Sequence, residues 1–247
     1  MKKLVSISIL IPLVLPFYSL SQTRVEKGFE LHEVMKIAEM YKNVPNLSFT
    51  VNYKYTDSIR VDSVLEQLTG YSKISDGRYY SFLDSSEFIQ GYQYNILVFH
   101  RDSAVIVNNR QEYPDLMKLP ILDSIFQSAY VDSMKIIATD DVPINTLYLY
   151  LSPSSPYANY VLVYDRNNYR IQFIHFYIRN APVEDGVTSG TGAVTVTFSA
   201  YSTAAVDQEK FWEDKFIYKQ AGEIHLKPAY AGYQLLDNTT IKTNLPN

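Results

Sequence analysis

The stretch that decides the fold of this chain is Asn46-Leu47-Ser48-Phe49-Thr50-Val51-Asn52-Tyr53-Lys54-Tyr55-Thr56. Apolar and polar side chains alternate along it without a break, and the apolar set is Leu47, Phe49, Val51, Tyr53 and Tyr55. Period-two alternation is typical of an antiparallel strand with one buried face. We therefore expect these five side chains to face inward, toward a helix or a ligand.

An amphipathic helix is predicted directly before this strand, from Phe29 to Lys42. Its apolar side chains recur at helical spacing, and they are Leu31, Val34, Met35, Ile37, Ala38, Met40 and Tyr41. Pro45 ends the helix, because proline excludes the helical conformation for the residue before it. So broad an apolar surface needs a partner on more than one side, such as the inside of a curved sheet.

The N-terminus has the pattern of a secretory signal peptide. Lys2 and Lys3 precede an apolar run from Leu4 to Phe17, and Ser19 and Ser21 then provide small residues before a cleavage site at Gln22. The alternative, a retained anchor helix, is disfavoured because the run is short and contains prolines. We predict a signal peptide at 1–21, a single domain at 22–247, and export to the periplasm or the medium.

Composition narrows the classes of partner. The chain has no cysteine, which excludes disulfides, thiol chemistry and an N-terminal lipid-bearing cysteine. Its net charge of -4 comes without a basic run, so a nucleic-acid partner is not expected. The acidic balance argues against constitutive binding to anionic head groups, and no second apolar stretch is long enough for stable membrane insertion.

Short alternating segments follow the first strand and predict an antiparallel meander. The predicted strands are 64–74, 78–84, 92–100, 104–107, 134–138, 145–151, 159–165, 170–179 and 193–201. A second amphipathic helix is predicted at 119–132, and the tail from Phe211 to Leu236 reads as a helical turn or a strand pair. Tyr164 to Arg170 is typical of a hairpin, since asparagines at its tip tolerate left-handed backbone angles. No linker separates a second domain.

Motifs for cofactor or metal chemistry are incomplete. His32-Glu33 begins like a zinc-protease motif, but Lys36 stands where the second histidine is needed, so an exposed helix surface is the preferred interpretation. The glycine-rich run 186–192 lacks the lysine and the following helix of a phosphate loop. Asp140-Asp141 and the run 84–87 lack the spacing of a calcium loop and are read as solvated turns. We predict no cofactor and no metal.

The histidines offer little for catalysis. His100 is predicted at a hairpin tip, and His225 has no interpretable context. His175 is expected to share a strand face with Ile171, Phe173 and Tyr177, where an imidazole is more typical of a pocket wall than of a general base. We assign no catalytic residue and predict that the chain is not an enzyme. An enzyme would need a carboxylate or hydroxyl within hydrogen-bond reach of His100 or His175.

Tyrosines are the more informative residues, since the chain has 22 of them. Interleaved in strands, they give surfaces that are apolar in body and polar at the tip, although aromatic residues are also common in ordinary sheets. A cavity with apolar walls and a hydrogen-bonding rim would use such residues. The candidate ligand-cavity residues are Leu47, Phe49, Val51, Tyr53, Tyr55, Ile171, Phe173, His175 and Tyr177.

The order of signal peptide, amphipathic helix and alternating strand resembles the start of the outer-membrane lipoprotein carrier family, the LolA-like fold. The segment from Tyr160 to Ile171, followed by the strand from Val194 to Phe198, is similar to the family's later strands. The resemblance spans about 29–201. It implies an α+β fold in which a curved antiparallel half-barrel, LolA/LolB-like, wraps around one or more amphipathic helices.

The resemblance also implies a ligand and partners. Family members hold the acyl chains of lipoproteins in an apolar cavity. They receive the lipoprotein from an inner-membrane lipoprotein exporter and deliver it to an outer-membrane acceptor. This chain departs from the family in its length, its glycine-rich loop and its Asp76-Gly77-Arg78 turn, so no functional residue is carried over. A carrier for lipoprotein acyl chains or other lipid is the favoured hypothesis. The alternative is a non-catalytic structural or interaction module of the cell envelope.

Overall fold

In the computed structural model, the described residues are 28–57, 63–110, 131–139, 142–181 and 190–239. They contain the helix α1 (Gly28–Asn43). The strands are β1 (Asn46–Asp57), β2 (Val64–Ser75), β3 (Arg78–Leu83), β4 (Ser86–Gln90), β5 (Tyr94–Phe99), β6 (Ala104–Asn109), β7 (Val131–Ala138), β8 (Ile144–Leu151), β9 (Tyr157–Asp165), β10 (Ile171–Ala181), β11 (Gly190–Ser202), β12 (Ile217–Gln220), β13 (Glu223–Leu226) and β14 (Gln234–Asp237). The predicted signal peptide, most of the predicted helix at 119–132, Asp140-Asp141 and most of the glycine-rich run lie outside the described residues.

One large sheet contains every strand except the β12–β13 pair. Its order is β14-β6-β5-β4-β3-β2-β1-β11-β10-β9-β8-β7, so two meanders, β1–β6 and β7–β11, join where β1 pairs with β11. All its ladders are antiparallel except the one at the β14 edge, in which β14 runs parallel to β6. The predicted α+β class, an amphipathic helix on a mostly antiparallel sheet, is confirmed.

The alternating stretch at 46–56 forms β1, and its alternation separates two faces of the sheet. We call the face that carries Leu47, Phe49 and Val51 the helix face, because these buried side chains belong to the same core as Val34, Ile37 and Tyr41 of α1. We call the opposite face, which carries the polar partners of β1, the outer face. The inward orientation predicted for the apolar set is confirmed for Leu47, Phe49 and Val51.

Helix α1 crosses one end of the helix face. The ring of Tyr41 contacts that of Phe49 on β1, its hydroxyl accepts the backbone N–H of Ile171 on β10, and Glu33 accepts a hydrogen bond from Tyr164 on β9. Sixteen residues at about 1.5 Å each make α1 about 24 Å long. The six strands from β1 to β7 span about 24 Å at about 4.8 Å per spacing. The helix is therefore long enough to cross this half of the sheet.

A second core lies on the outer face, over β3–β6. The segment 203–239, which we call the C-terminal segment, packs apolar side chains against outward-facing residues of these strands. The buried members are Tyr80, Ile89, Tyr94, Ile96, Val98, Val105, Val107, Val206, Phe211, Phe216, Ile217 and Ile224. Both readings of the tail are present, since 208–211 and 213–215 form short 3-10 turns and β12 pairs with β13. The sheet is thus covered on opposite faces at its two halves.

Two sequence predictions need correction. The run 84–87 is not only a solvated turn, because Ser86 and Glu87 begin β4, which pairs with β3 and β5. Glu33 does not lie on an exposed helix surface: it is 4% exposed, and its carboxylate accepts hydrogen bonds from Tyr164 and Lys36. His32, one residue earlier, is exposed. A carboxylate paired with partners on the sheet side can be buried where an isolated one cannot.

Candidate functional site

The predicted cavity residues on β1 meet different surroundings along the strand. Leu47 is fully buried, and Phe49 is in ring contact with Tyr41, Phe198 and Tyr201, so at this end the neighbours are packed side chains. Tyr53 and Tyr55 lie further along β1 and are only partly buried. The two ends of the β1 pattern therefore differ in what they contact.

The candidates on β10 are divided between the faces. Ile171 is fully buried on the helix face, where its backbone is held by Tyr41 and Tyr201. A register shift between Ile171 and Phe173 then places Phe173, His175 and Tyr177 on the outer face, opposite Thr197, Thr195 and Ala193. The prediction that Ile171 shares a face with these three is wrong. A bulge adds one residue to the strand and reverses the alternation beyond it.

The helix-face side chains of β10 are instead Ile174, Phe176 and Ile178. Phe176 pairs across the sheet with Val194, and Val194 pairs with Tyr55. Ile174 pairs with Val196, which pairs with Tyr53 in the next cross-strand row. These rows extend the apolar surface away from α1. We call the set Tyr53, Tyr55, Tyr157, Tyr160, Phe176, Ile178 and Val194 the far helix face.

The far helix face is wider than α1 can cover. From Phe49, which touches α1, to Tyr55 is six residues, or about 20 Å along the strand. An α-helix with its side chains is only about 10–12 Å across. Because α1 crosses the strands at the Phe49 end, the rows of Tyr53 and Tyr55 lie beyond its width. In these rows Ile174, Phe176 and Val196 are buried, and Tyr53, Tyr55 and Val194 are partly exposed.

Tyr160 is the most unusual residue of this surface. Its side chain is fully buried, and its ring stacks on Phe176 with centroids 5.6 Å apart. Its hydroxyl has no hydrogen-bond partner among the described residues. Burial raises the pKa of Tyr160 well above its ordinary value, and the neighbouring Tyr53 and Tyr157 raise that pKa further. Native proteins pair nearly all buried polar groups, so a buried hydroxyl without a partner among the described residues is uncommon.

Tyr55 lies against a glycine of the neighbouring strand. A Cβ atom built on Gly192 would stand 2.4 Å from the hydroxyl oxygen of Tyr55 and 2.7 Å from its Cζ atom. The absence of a side chain at Gly192 therefore makes room for the Tyr55 ring to lie across β11. This contact holds the Tyr55 ring at the end of the far helix face that is most distant from α1. Gly192, which makes the contact, belongs to the glycine-rich run.

A polar cluster that sequence reasoning missed lies on the outer face around His100. Its Nε2 atom lies 2.8 Å from Oε1 of Glu87, its Nδ1 atom lies 3.0 Å from the hydroxyl of Tyr233, and Tyr80 donates to Oε2 of Glu87 at 2.7 Å. His175 likewise has a hydroxyl in reach, since its Nδ1 atom lies 2.9 Å from Oγ1 of Thr195. Both histidines thus meet the geometric condition set for an enzyme. Glu87 could have been suspected only once β4 was recognised.

Three further features of the described ranges bear on a site. No group of His, Asp and Glu side chains there is arranged to hold a metal ion. No helix among those residues is long and apolar enough to cross a membrane. A groove of about 530 Å³ lies in the C-terminal segment, lined by Tyr218, Leu226, Lys227, Pro228 and Ala231. It lies away from the far helix face.

Comparison with known proteins gives likenesses of structure only. No protein-family model and no curated protein matches the chain. An uncharacterized conserved protein from Thermus thermophilus has a TM-score of 0.44 at 10% identity, over 84% of this chain and 98% of the other. A LolA superfamily protein from Nitrosomonas europaea has a TM-score of 0.36 at 10% identity, over 76% of this chain and 99% of the other.

A third similar structure is the lipoprotein LppX from Mycobacterium tuberculosis. Its TM-score is 0.36 at 11% identity, over 72% of this chain and 97% of that chain. At these identities the likenesses concern the fold and leave the ligand to be argued from the residues of this chain.

Proposed function

We propose that this chain is an exported, periplasmic carrier or binding protein that holds the acyl chains of a lipid or lipoprotein. The observation that carries the proposal is the far helix face, a set of apolar and aromatic side chains beyond the width of α1. It includes the hydroxyl of Tyr160, which has no hydrogen-bond partner in the part of the chain that the structure describes. Export rests on the predicted signal peptide at 1–21, and 22–247 would then be the mature single domain. An inner-membrane exporter and an outer-membrane acceptor are the partners expected of such a carrier.

Such a protein must bury the acyl chains of its ligand, and it does not need to react with them. Each buried methylene is worth about 0.8 kcal/mol, so a lipid with more than one acyl chain needs an extended apolar surface to leave a membrane. Tyr53, Tyr157, Ile178 and Val194 are partly buried and would provide that surface. No step in this function needs a catalytic group.

The experiment is acyl binding by a pair of matched variants on β11. Val194→Lys places a charge on the far helix face, whereas Thr197→Lys places it on the outer face at an exposed position of the same strand. Bound lipid is identified by native mass spectrometry of the mature protein, and affinity is measured with a fluorescent fatty acid. We expect Val194→Lys to lose binding and Thr197→Lys to keep it. Protein that is repeatedly empty and binds no probe would contradict the proposal.

A non-catalytic structural or interaction module is the second candidate. It is favoured by the packing at the α1 end, where Leu47 and Phe49 contact helix and strand side chains and leave no room for a ligand. This candidate predicts a stable protein partner and an unoccupied far helix face. A mature protein that is purified with bound lipid and no partner would exclude it.

A further inference from the structure

A second apolar surface lies on the outer face of β7–β10, opposite the far helix face. Ladder registers place Ile137, Thr146, Val163 and Phe173 in one cross-strand row and Lys135, Tyr148, Val161 and His175 in the next. Tyr150 and Tyr177 lie beyond the second row on the same face. We call the apolar members, Ile137, Tyr148, Tyr150, Val161, Val163, Phe173 and Tyr177, the outer patch.

The outer patch is unlike the rest of its face. Over β3–β6 the outward apolar residues are buried beneath the C-terminal segment, and on β1 the outward residues are polar. In the outer patch Tyr150 is 52% exposed, Ile137 is 44% exposed, and Val161, Val163 and Phe173 are partly exposed. The solvent side of an antiparallel sheet is ordinarily polar. A contiguous exposed apolar surface is typical of an interaction site.

The charged residues around the outer patch indicate which class of partner it binds. Lys135 on β7 and Lys54 on β1 are exposed at opposite ends of one cross-strand row, about 24 Å apart at about 4.8 Å per strand. The two rows and the neighbouring positions Tyr150 and Tyr177 contain no carboxylate, although the chain has 26 acidic residues against 22 basic ones. Asp165, at the end of β9, is occupied by hydrogen bonds from Asn167 and Asn168. The two rows therefore carry two lysines and no carboxylate, although the protein as a whole is acidic.

We propose that the outer patch docks reversibly on the surface of an anionic lipid bilayer. Tyrosines favour the interface between head groups and acyl chains, where the ring is buried and the hydroxyl stays hydrated. Lysines at the two ends of the row extend their ammonium groups toward anionic head groups, and each adds to the electrostatic attraction. Two lysines give weak attachment, which agrees with the absence of constitutive binding expected from the net charge. The proposal is independent of what the far helix face holds.

The test is co-sedimentation of mature protein with vesicles of phosphatidylglycerol and phosphatidylcholine, compared with vesicles of phosphatidylcholine alone. We expect binding to the anionic vesicles only, and weaker binding at higher salt. The double variant Lys54→Glu, Lys135→Glu should bind at least about tenfold more weakly, because it reverses both rim charges. Tyr150→Ser should weaken binding several-fold through the apolar contribution.

The matched control is the double variant Lys215→Glu, Lys219→Glu, which changes the net charge by the same amount at exposed positions of the C-terminal segment, where Lys215 lies 3.8 Å from Glu209. It should bind like the unmodified protein, and circular dichroism should show that all variants are folded. Equal binding to neutral and anionic vesicles, no binding to either, or full binding by the Lys54→Glu, Lys135→Glu variant would overturn the proposal. A dimer in solution that the Lys54→Glu, Lys135→Glu variant dissociates would assign the patch to a second copy of the chain and would also overturn the membrane-docking proposal.

Vesicle binding that persists in Val194→Lys would support a docking surface that is separate from the far helix face.

Discussion

The hydroxyl of Tyr233 lies 3.0 Å from Nδ1 of His100, and this contact ties the C-terminal segment to the turn between β5 and β6. Glu87 accepts from Tyr80 and faces Nε2 of His100. An ionised carboxylate can only accept, so Nε2 carries a proton. Nδ1 of the same ring is the hydrogen-bond partner of the Tyr233 hydroxyl. A chain of hydrogen bonds thus runs from β3 to the residue just before β14.

Tyr233→Phe should loosen the C-terminal segment without unfolding the sheet. The change removes the hydroxyl that pairs with Nδ1. Because the His100 side chain is partly exposed and can bind water instead, we expect a loss of about 1 kcal/mol. Hydrogen exchange should show faster exchange of the backbone amides of β14, with those of β1 unchanged. Tyr150→Phe, at an exposed tyrosine on the other half of the sheet, is the control. Equal exchange in the two variants would show that the contact contributes nothing.

Stability should fall in alkali between pH about 10 and about 12. Burial raises the pKa of Tyr41 to about 12 from an ordinary value of 10.0, so the unfolded state loses its proton first and rising pH favours unfolding. Each unit of difference is worth about 1.4 kcal/mol, which gives a loss of about 2 to 3 kcal/mol from this one residue. Guanidinium denaturation across this range measures it. Tyr41→Phe should be less stable at neutral pH but show a shallower alkaline decline, and an unchanged slope would contradict the assignment.

Gly70→Ala should be strongly destabilising. A Cβ atom at Gly70 would lie 2.1 Å from the backbone oxygen of Phe82, which cannot move without breaking the β2–β3 ladder. The expected loss is at least about 2 kcal/mol, as for overpacking elsewhere. Gly28→Ala is the matched control, because nothing lies within 4 Å of its Cβ position. If thermal unfolding midpoints of the two variants coincide, the close approach of β2 and β3 is not a constraint.

Glu33→Ala should destabilise the contact between α1 and β9. Glu33 Oε2 accepts from the Tyr164 hydroxyl at 2.9 Å inside the core, and Tyr164 would lose this acceptor. We expect a cost of about 2 kcal/mol, from an unsatisfied buried hydroxyl and a small cavity. Glu39→Ala, at an exposed position of the same helix, should cost almost nothing. Denaturant midpoints of the pair decide between a structural and an incidental carboxylate.

Sequence reasoning succeeded where one face of a strand is apolar and the other polar. The alternation at 46–56 identified β1 and its inward side chains, and proline and helical spacing identified α1 within a residue or two. On β10 it failed because Phe173, Ile174, Phe176, Tyr177 and Ile178 are apolar or aromatic on both faces. A period-two pattern then does not show which side chains lie on which face of the sheet. The bulge after Ile171 determines this instead.

The second core could not be predicted because its contributors lack periodicity. Val206, Phe211 and Phe216 come from turns, and what they share is contact with outward residues of distant strands. β4 was missed because it is short and begins with Ser86 and Glu87, which read as turn residues. The outer patch could not be predicted for a related reason. The sequence does not distinguish inward from outward apolar residues, and only the register of the strands assigns them to a face.

The pairing of β1 with β11 has a consequence for how the protein is made. Thr56 and Ala193, opposite each other in this ladder, are 137 residues apart in the chain. The first meander must therefore wait, with one side of β1 unpaired, until β11 has been synthesised. Distant pairings of this kind slow folding, and an open strand edge attracts other chains. A newly made chain therefore has to be shielded from its neighbours until β11 has been made and can pair with β1.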